Sequence, residues 1–429
     1  MMLKKTLLAA SLATLCIDAF AAAFQLAEHS ASGLGRAFAG DAALAENASV
    51  VARNPALMSQ FDSKQFSVAA TYVEPDVSLR GLSAPVYSST NAMNDDSIAP
   101  SAIVTAAYFV TPINDKLAFG LGVFSNFGLA TEFSDDYAAG QLAGKTDITT
   151  ANLNAALSYK INEHFTVAAG ISYIYAEAQI TRHAGAGLPA YLQASYGTTF
   201  GVASSTEAAN MQGDDTGYGW NLGATYQANE AVIFGLHYRA ASDLNFSGSY
   251  SNELPAVIGG LAGSNIPGAV ELELPATLEF SGSHQLNDTL ALHYSVLWTQ
   301  WDSFESLEAY SGDMPEPVFA KEEDFKNAMR YALGADYKLN NGITLRAGIA
   351  YDKSPADQHM SISIPDTNRL WLSTGLNYEL SHDSSIDLGV AYLKGEKQNF
   401  TETDNLGGAW AFSSQGNALL LSAQYNIWF

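Results

Sequence analysis

From Lys64 to the C-terminus, apolar side chains recur at every second position. Phe66, Val68, Ala70 and Tyr72 alternate with Gln65, Ser67, Ala69 and Thr71, and Leu153, Ala155, Leu157 and Tyr159 alternate with Asn152, Asn154 and Ser158. The same period returns in Trp220/Leu222/Ala224/Tyr226, Val232/Phe234/Leu236/Tyr238, Leu290/Leu292/Tyr294/Val296/Trp298 and Ile343/Leu345/Ala347/Ile349/Tyr351. It closes with Leu419, Leu421, Ala423, Tyr425, Ile427 and the terminal Phe429. A period of two is that of a β-strand with unlike faces. One greasy face, one small or polar face and runs of about ten residues ending in an aromatic suit strands that cross an outer membrane.

The connections alternate in length. Short turns rich in Asn and Asp fall at Asn114-Asp115, Asn162-Glu163, Asn229-Glu230, Asn287-Asp288, Asn340-Asn341-Gly342 and His382-Asp383. Long polar segments lie between them at 73–100, 130–149, 183–217, 248–270, 302–325, 352–368 and 393–416. Six short turns and seven long loops predict fourteen strands with both chain ends on one side. Bacterial barrels place short turns in the periplasm and long loops outside; a soluble β-sandwich has no reason for such alternation. Residues 64–429 are therefore expected to form an all-β, 14-stranded antiparallel transmembrane β-barrel in the outer membrane of a Gram-negative bacterium.

Two segments do not fit the wall. Lys4 and Lys5 precede an apolar stretch, 6–17, and Ala19-Phe20-Ala21 reads as a small-x-small cleavage site, so 1–21 is expected to be an export signal. The stretch falls short of the roughly 20 residues of a spanning helix. Residues 22–63 lack sustained alternation, are rich in small residues and include the helix-compatible Ala42-Ala43-Leu44-Ala45. Phe24, Leu26, Leu34, Phe38 and Leu57 need burial, and the barrel lumen offers it. This segment is expected to be a small helical hatch plugging the lumen.

Composition narrows the function. Hydrophobic residues make up 48% and charged residues 15%, and 44 acidic against 20 basic side chains give a net charge of −24. That balance argues against nucleic acid, whose phosphates require a basic face. Cys16 is the single cysteine, which excludes an intrachain disulfide or thiolate metal cluster. No Gly-x-Ser-x-Gly or His-Glu-x-x-His occurs and the eight histidines are scattered, so an enzyme is not expected. No cofactor or metal is expected either. Acidic pairs in the outer loops, among them Asp135-Asp136 and Glu322-Glu323-Asp324, read as solvated charge, because their spacing resembles no calcium loop.

Strand parity places Arg182, His237, Arg239, Lys326, Arg330, Arg346 and Arg369 on the lumen side. Cations on the lipid face would cost about 2–4 kcal/mol each at the midplane, so some inward bias is structural. These cations either pair with carboxylates such as Asp336 and Asp352 or bind an anionic substrate. Leu188, Tyr191 and Leu192 in the third outer loop, and Val257, Ile258 and Leu261 in the fourth, make the entrance apolar. An apolar entrance above a basic interior suits an amphiphile with an acidic head.

The segments Phe24-Gln25-Leu26, Ser32-Gly33-Leu34-Gly35-Arg36-Ala37-Phe38, Arg53-Asn54-Pro55-Ala56-Leu57, Pro112-Ile113-Asn114-Asp115, Ser125-Asn126-Phe127-Gly128-Leu129 and Ser361-Ile362-Ser363-Ile364-Pro365-Asp366 resemble the FadL family of outer-membrane long-chain fatty-acid transporters. The likeness runs through essentially the whole mature chain. It implies a monomer in outer-membrane lipid and lipopolysaccharide, with energy-independent uptake of long-chain fatty acids. Fatty acid would be captured between the third and fourth outer loops and pass to a lumen site on Arg182, Lys326 and Phe24. It would leave sideways where the third strand kinks at Asn126-Phe127-Gly128, beside Asn54-Pro55-Ala56 of the hatch. Some relatives carry neutral or aromatic hydrocarbons through the same architecture, which is the alternative substrate class.

Overall fold

A computed structural model describes residues 23–304, 306–311, 317, 319–339, 341–356 and 359–429. The expected export signal lies outside them. In chain order the strands are β1 (Gln65–Ser83), β2 (Ala102–Asn114), β3 (Leu117–Phe124), β4 (Gly128–Glu132), β5 (Gly144–Lys160), β6 (Phe165–His183), β7 (Glu207–Asn229), β8 (Val232–Arg239), β9 (Ser242–Ser251), β10 (Ile266–Leu274), β11 (Thr277–Gln285), β12 (Leu290–Thr299), β13 (Ser306–Ser311), β14 (Phe319–Glu322), β15 (Ala328–Lys338), β16 (Ile343–Asp352), β17 (Arg369–Ser381), β18 (Ser384–Gly395), β19 (Gln398–Thr403) and β20 (Ala409–Trp428).

Fourteen of these form a closed antiparallel wall. β1 pairs with β2, and pairing then runs through β3, β5, β6, β7, β8, β11, β12, β15, β16, β17, β18 and β20. β20 returns to β1 from Gln65↔Trp428 to Ser83↔Ala411, which closes the ring. The six short turns lie where the sequence puts them. The long connections differ from expectation, because several polar segments are strand: β7 begins at Glu207 rather than near 218, and the segment read as a loop at 248–270 belongs to a β9–β10 hairpin packed on the outer part of β7. With 23 residues, β7 exceeds the roughly 9–11 that cross a bilayer, so the wall stands well above the membrane on the long-loop side.

Burial is inverted relative to a soluble sheet. Ile171, Leu333 and Leu372 point outward, whereas Asn154, Asn221, Gln424 and Asp387 are buried. Tyr159, Phe165, Tyr226 and Tyr337 stand exposed near the short turns, as an aromatic girdle requires. Among the described residues no helix is long and apolar enough to cross a membrane.

The N-terminal segment fills the lumen. It contains α1 (Ala31–Leu34), α2 (Val50–Arg53) and a 3-10 turn (Pro55–Gln60), and Phe24, Leu34 and Leu57 are wholly buried. Ala42-Ala43-Leu44-Ala45 is not helical as expected: left-handed backbone at Ala37, Phe38 and Gly40 turns the chain there. Inward glycines on the wall let the plug backbone approach. A Cβ on Gly235 would collide with the Ala42 carbonyl, and one on Gly348 with the Arg36 carbonyl.

The inward arginines largely pair with carboxylates. Arg36 meets Glu46 at 2.7 Å and Asp336 at 3.1 Å, Arg346 meets Asp387 at 2.5 Å and Glu46 at 3.2 Å, and Arg330 meets Asp352 at 3.2 Å. These side chains seat the plug.

Candidate functional site

The third wall strand breaks at Ser125–Phe127. β3 pairs with both β2 and β5, but β4, beyond the break, pairs with β5 alone. Pairing between β2 and β3 stops at Ala107↔Val123, so among the described residues 102–106 of β2 have no strand partner on that side and the ladder is interrupted there. The start of the plug lies across the break. Leu26 N–H donates to the Asn126 carbonyl at 2.7 Å, Gly128 N–H donates to the Phe24 carbonyl at 2.8 Å, and Gln25 bridges Phe127 antiparallel.

Above this point the lumen is apolar. Phe24 packs edge-on against Trp301 (4.6 Å between centroids), Phe304 (5.7 Å) and Phe127 (6.0 Å), and Phe325 extends the group through Trp301 and Phe304. Ile148, Ile180, Phe246, Leu272 and Phe412 continue the same buried cluster up the inner wall. A cleft between Ile148, Ile180, Met211, Phe246 and Leu272 opens into it. The result is a tall apolar chamber filled by mutually packed side chains, with an aromatic floor.

A connected group of polar side chains borders the chamber around Arg182. Arg182, 4% exposed at the outer end of β6, donates to Ser363 Oγ at 2.9 Å and Thr146 Oγ1 at 3.3 Å. Ser361 and Ser363 hold Ile362 and Ile364 in the apolar cluster. Lys321 reaches Ser361 Oγ from the opposite loop and pairs with Glu402 at 2.9 Å, with Glu323 3.8 Å away. Glu402 also accepts from Ile362 N–H at 3.1 Å. Thus one short segment, Ser361–Ile364, bridges a guanidinium to an ammonium at the roof of a greasy chamber. Glu323 is 1% exposed, neither carboxyl oxygen has a hydrogen-bond partner, and burial pushes its carboxyl up to about 7 despite Lys321. For Glu323 this corrects the reading of solvated charge, whereas Asp324 beside it is exposed.

The remaining expected residues fall as follows. Phe24 and Arg182 border one chamber, whereas Lys326 is exposed; its backbone N–H donates to the Pro355 carbonyl at 2.9 Å. It lies two residues before β15, where strand parity no longer governs direction. The inward lysine is Lys321, which parity could not find because it sits in the rim strand β14; the Ser-Ile-Ser-Ile run opposite it was the available signal. Leu188 and Leu192, both in α3 (Gly187–Tyr196), pack with Ile258 and Leu254 across the third and fourth loops. Leu261 joins a neighbouring cluster on Met211 and Tyr250, while Tyr191 and Val257 are exposed.

Asn126, Phe127 and Gly128 are at the break, but their plug partners are Phe24, Gln25 and Leu26, with His29 on neighbouring Ser125, not Asn54-Pro55-Ala56. That motif sits on the short-turn side. Asn54 Nδ2 donates to the Ala42 and Ala224 carbonyls at 2.6 and 3.2 Å, its Oδ1 caps Ala56 N–H at 3.1 Å, and the Ala56 carbonyl accepts from Ser158 Oγ at 3.1 Å. It is a helix cap that ties the plug to β5 and β7.

Residues 12–429 match the family model described as outer membrane protein transport protein (OMPP1/FadL/TodX). A long-chain fatty acid transport protein of Escherichia coli O6:H1 is 40% identical over 99% of this chain and 98% of its own length. A 47 kDa outer membrane protein of Pasteurella multocida is 43% identical, with the same coverage. Among solved structures, a Pseudomonas aeruginosa FadL homologue superposes with a TM-score of 0.83 at 24% identity, covering 95% of this chain and 99% of that one, a likeness of fold. The closed barrel, the inward plug and the full-length match agree, and the chain belongs to the OMPP1/FadL/TodX family of outer-membrane transport proteins.

Proposed function

We propose that this protein carries long-chain fatty acids across the outer membrane without energy input, as a single barrel standing in outer-membrane lipid and lipopolysaccharide. The observation that carries this reading is the pairing of one apolar chamber with two cations at its border, buried Arg182 and half-buried Lys321. An alkyl chain gains about 0.8 kcal/mol for each CH₂ removed from water, so successive apolar surfaces are enough to draw it inward. Cations then orient the head through charge-assisted hydrogen bonds. Relatives near 40% identity that are named long-chain fatty acid transport proteins support the same substrate class.

On this reading, acid enters over the packed third and fourth loops and settles with its head on Arg182 and Lys321. It leaves sideways through the wall opening at Ser125–Phe127 when Phe24–Leu26 shifts. Lys326, exposed near the rim, serves as an outer contact for the anion. The alternative class, neutral or aromatic hydrocarbons, would fit the chamber but would make no use of the charge on Arg182 and Lys321. The deciding measurement is binding of purified protein to oleate and to a neutral hydrocarbon of similar length, in a weakly competing detergent. Preference for oleate, weakened in Arg182→Ala, is expected. Equal or tighter binding of the hydrocarbon would overturn the fatty-acid reading.

A further inference from the structure

Most buried arginines of the lumen meet a carboxylate, but Arg239 does not. It ends β8, is 9% exposed, donates through one nitrogen to the Ala52 carbonyl at 2.9 Å and lies 5.3 Å over the Phe124 ring. Among the described residues it enters no ion pair, and the ionic neighbour that acts on it is Arg53, of like charge. Its neighbour on the same strand face, His237, is 5% exposed with Nε2 lacking any hydrogen-bond partner.

Both side chains line a cavity with Arg53, Glu279, Asn126 and Phe127. Glu279 is already engaged, by Arg53 at 3.2 Å and by the Ser281 and Ser295 hydroxyls at 2.9 and 3.1 Å. An uncompensated buried charge costs several kcal/mol, so such a place favours an anion. The cavity is also on the way out. Phe127 borders it and also packs on Phe24, the floor of the chamber, while Asn126 belongs to the break in the wall.

We propose that Arg239 and His237 form a second carboxylate-binding site, a relay point between the chamber and the wall opening. The head of a departing fatty acid leaves Arg182 and Lys321 and is received by the Arg239 guanidinium, with His237 donating from Nε2. Its alkyl chain meanwhile turns past Phe127 toward the bilayer. This rests on the fatty-acid reading, and it assigns the relay to acids alone, since a neutral hydrocarbon has nothing to offer either side chain.

The test is uptake of labelled oleate and labelled hexadecane by liposomes holding the full-length barrel, beside equilibrium oleate binding. Arg239→Gln should slow oleate uptake roughly tenfold, the worth of one charge-assisted hydrogen bond, with hexadecane uptake unchanged. Arg239→Lys, which keeps the charge, should restore most of the rate. Oleate uptake at the wild-type rate in Arg239→Gln would overturn the proposal. So would equal slowing of both substrates, which would mean that Arg239 serves only to seat the plug through Ala52. Should Arg239→Gln fail to assemble, His237→Ala decides: a lowered oleate-to-hexadecane ratio supports the relay and an unchanged ratio overturns it. Failure of the underlying reading is visible separately, as a wild-type barrel with no preference for oleate.

Discussion

His29 ties the plug to the wall at the point where the wall is broken: its Nε2 lies 2.9 Å from the Ser125 carbonyl. Arg53 stands 3.2 Å from the other ring nitrogen, and because arginine only donates, Nδ1 must accept and Nε2 must carry the proton. Arg53 is itself held by Asp41 and Glu279, each at 3.2 Å. One chain of contacts therefore runs from a wall carboxylate through the plug to the break.

Removing the imidazole should loosen this end of the plug while leaving the barrel closed. In His29→Ala the Ser125 carbonyl loses its buried donor, a cost of about 1–3 kcal/mol. Amide hydrogen exchange of a peptide covering 23–31 should speed up accordingly, with peptides from β6 and β7 unchanged. Unaltered protection of 23–31 would show that His29 does not hold the latch.

The wall was legible in the sequence because lipid enforces a strict alternation, and the Asn/Asp turns marked one end of each hairpin. What lies above the membrane was less so. There both faces of a strand meet water or other loops, so Leu244 and Phe246 of the β9–β10 hairpin carry no lipid-facing partner pattern. The site divides in the same way. Arg182 followed from parity within β6, whereas Lys326 is outside β15 and the inward cation is Lys321, set by how β14 folds over the rim. Likewise, no spacing rule would separate buried Glu323 from exposed Asp324.

Gly235 gives a steric test of plug seating. Gly235→Val sets a branched side chain against the Ala42 carbonyl, and overpacking of this kind costs about 1–3 kcal/mol. The plug should be displaced rather than the wall, because strand pairing on both sides of Gly235 is extensive. Arg36 is buried in the native protein, so trypsin cleavage within 23–63 of the folded barrel should appear only in the variant. Digestion identical to wild type would mean that the plug tolerates the substitution in place.

Glu323 predicts how the site responds to pH. Its carboxyl is raised to about 7 from an ordinary 4.5, chiefly by burial, with Lys321 and Arg182 opposing and Glu402 reinforcing the shift. Its contribution to stability is whole below pH 4.5 and is lost as pH rises through 7. Ionisation also adds a negative charge beside Lys321, so anions should bind more weakly at pH 8 than at pH 6. A permanently charged alkyl sulfonate isolates the effect from titration of the ligand. Its affinity should fall by a factor on the order of ten, the equivalent of one pKa unit of coupling. Glu323→Gln should flatten that profile, and a profile equally steep in the variant would exclude Glu323 as its source.

Lys321 and Lys326 make opposite predictions for the lumen site. If Lys321 holds the carboxylate, Lys321→Met should weaken oleate binding by the value of a charged hydrogen bond, about 1.5–3 kcal/mol, or roughly ten- to a hundredfold. Lys326→Met, at an exposed position, should change affinity less than about fivefold, because solvent-exposed charge interactions are worth about 1 kcal/mol or less. Lys321→Met alone confounds two effects, since it also leaves Glu402 facing Glu323 without a cation between them. The double variant Lys321→Met/Glu402→Gln removes that repulsion. If Lys321 contacts the ligand, the double variant should stay at least tenfold weaker than wild type; if it only neutralises Glu402, affinity should return. A larger loss in Lys326→Met than in either Lys321 variant would restore Lys326 as the lumen cation and would require the rim to fold inward when ligand binds.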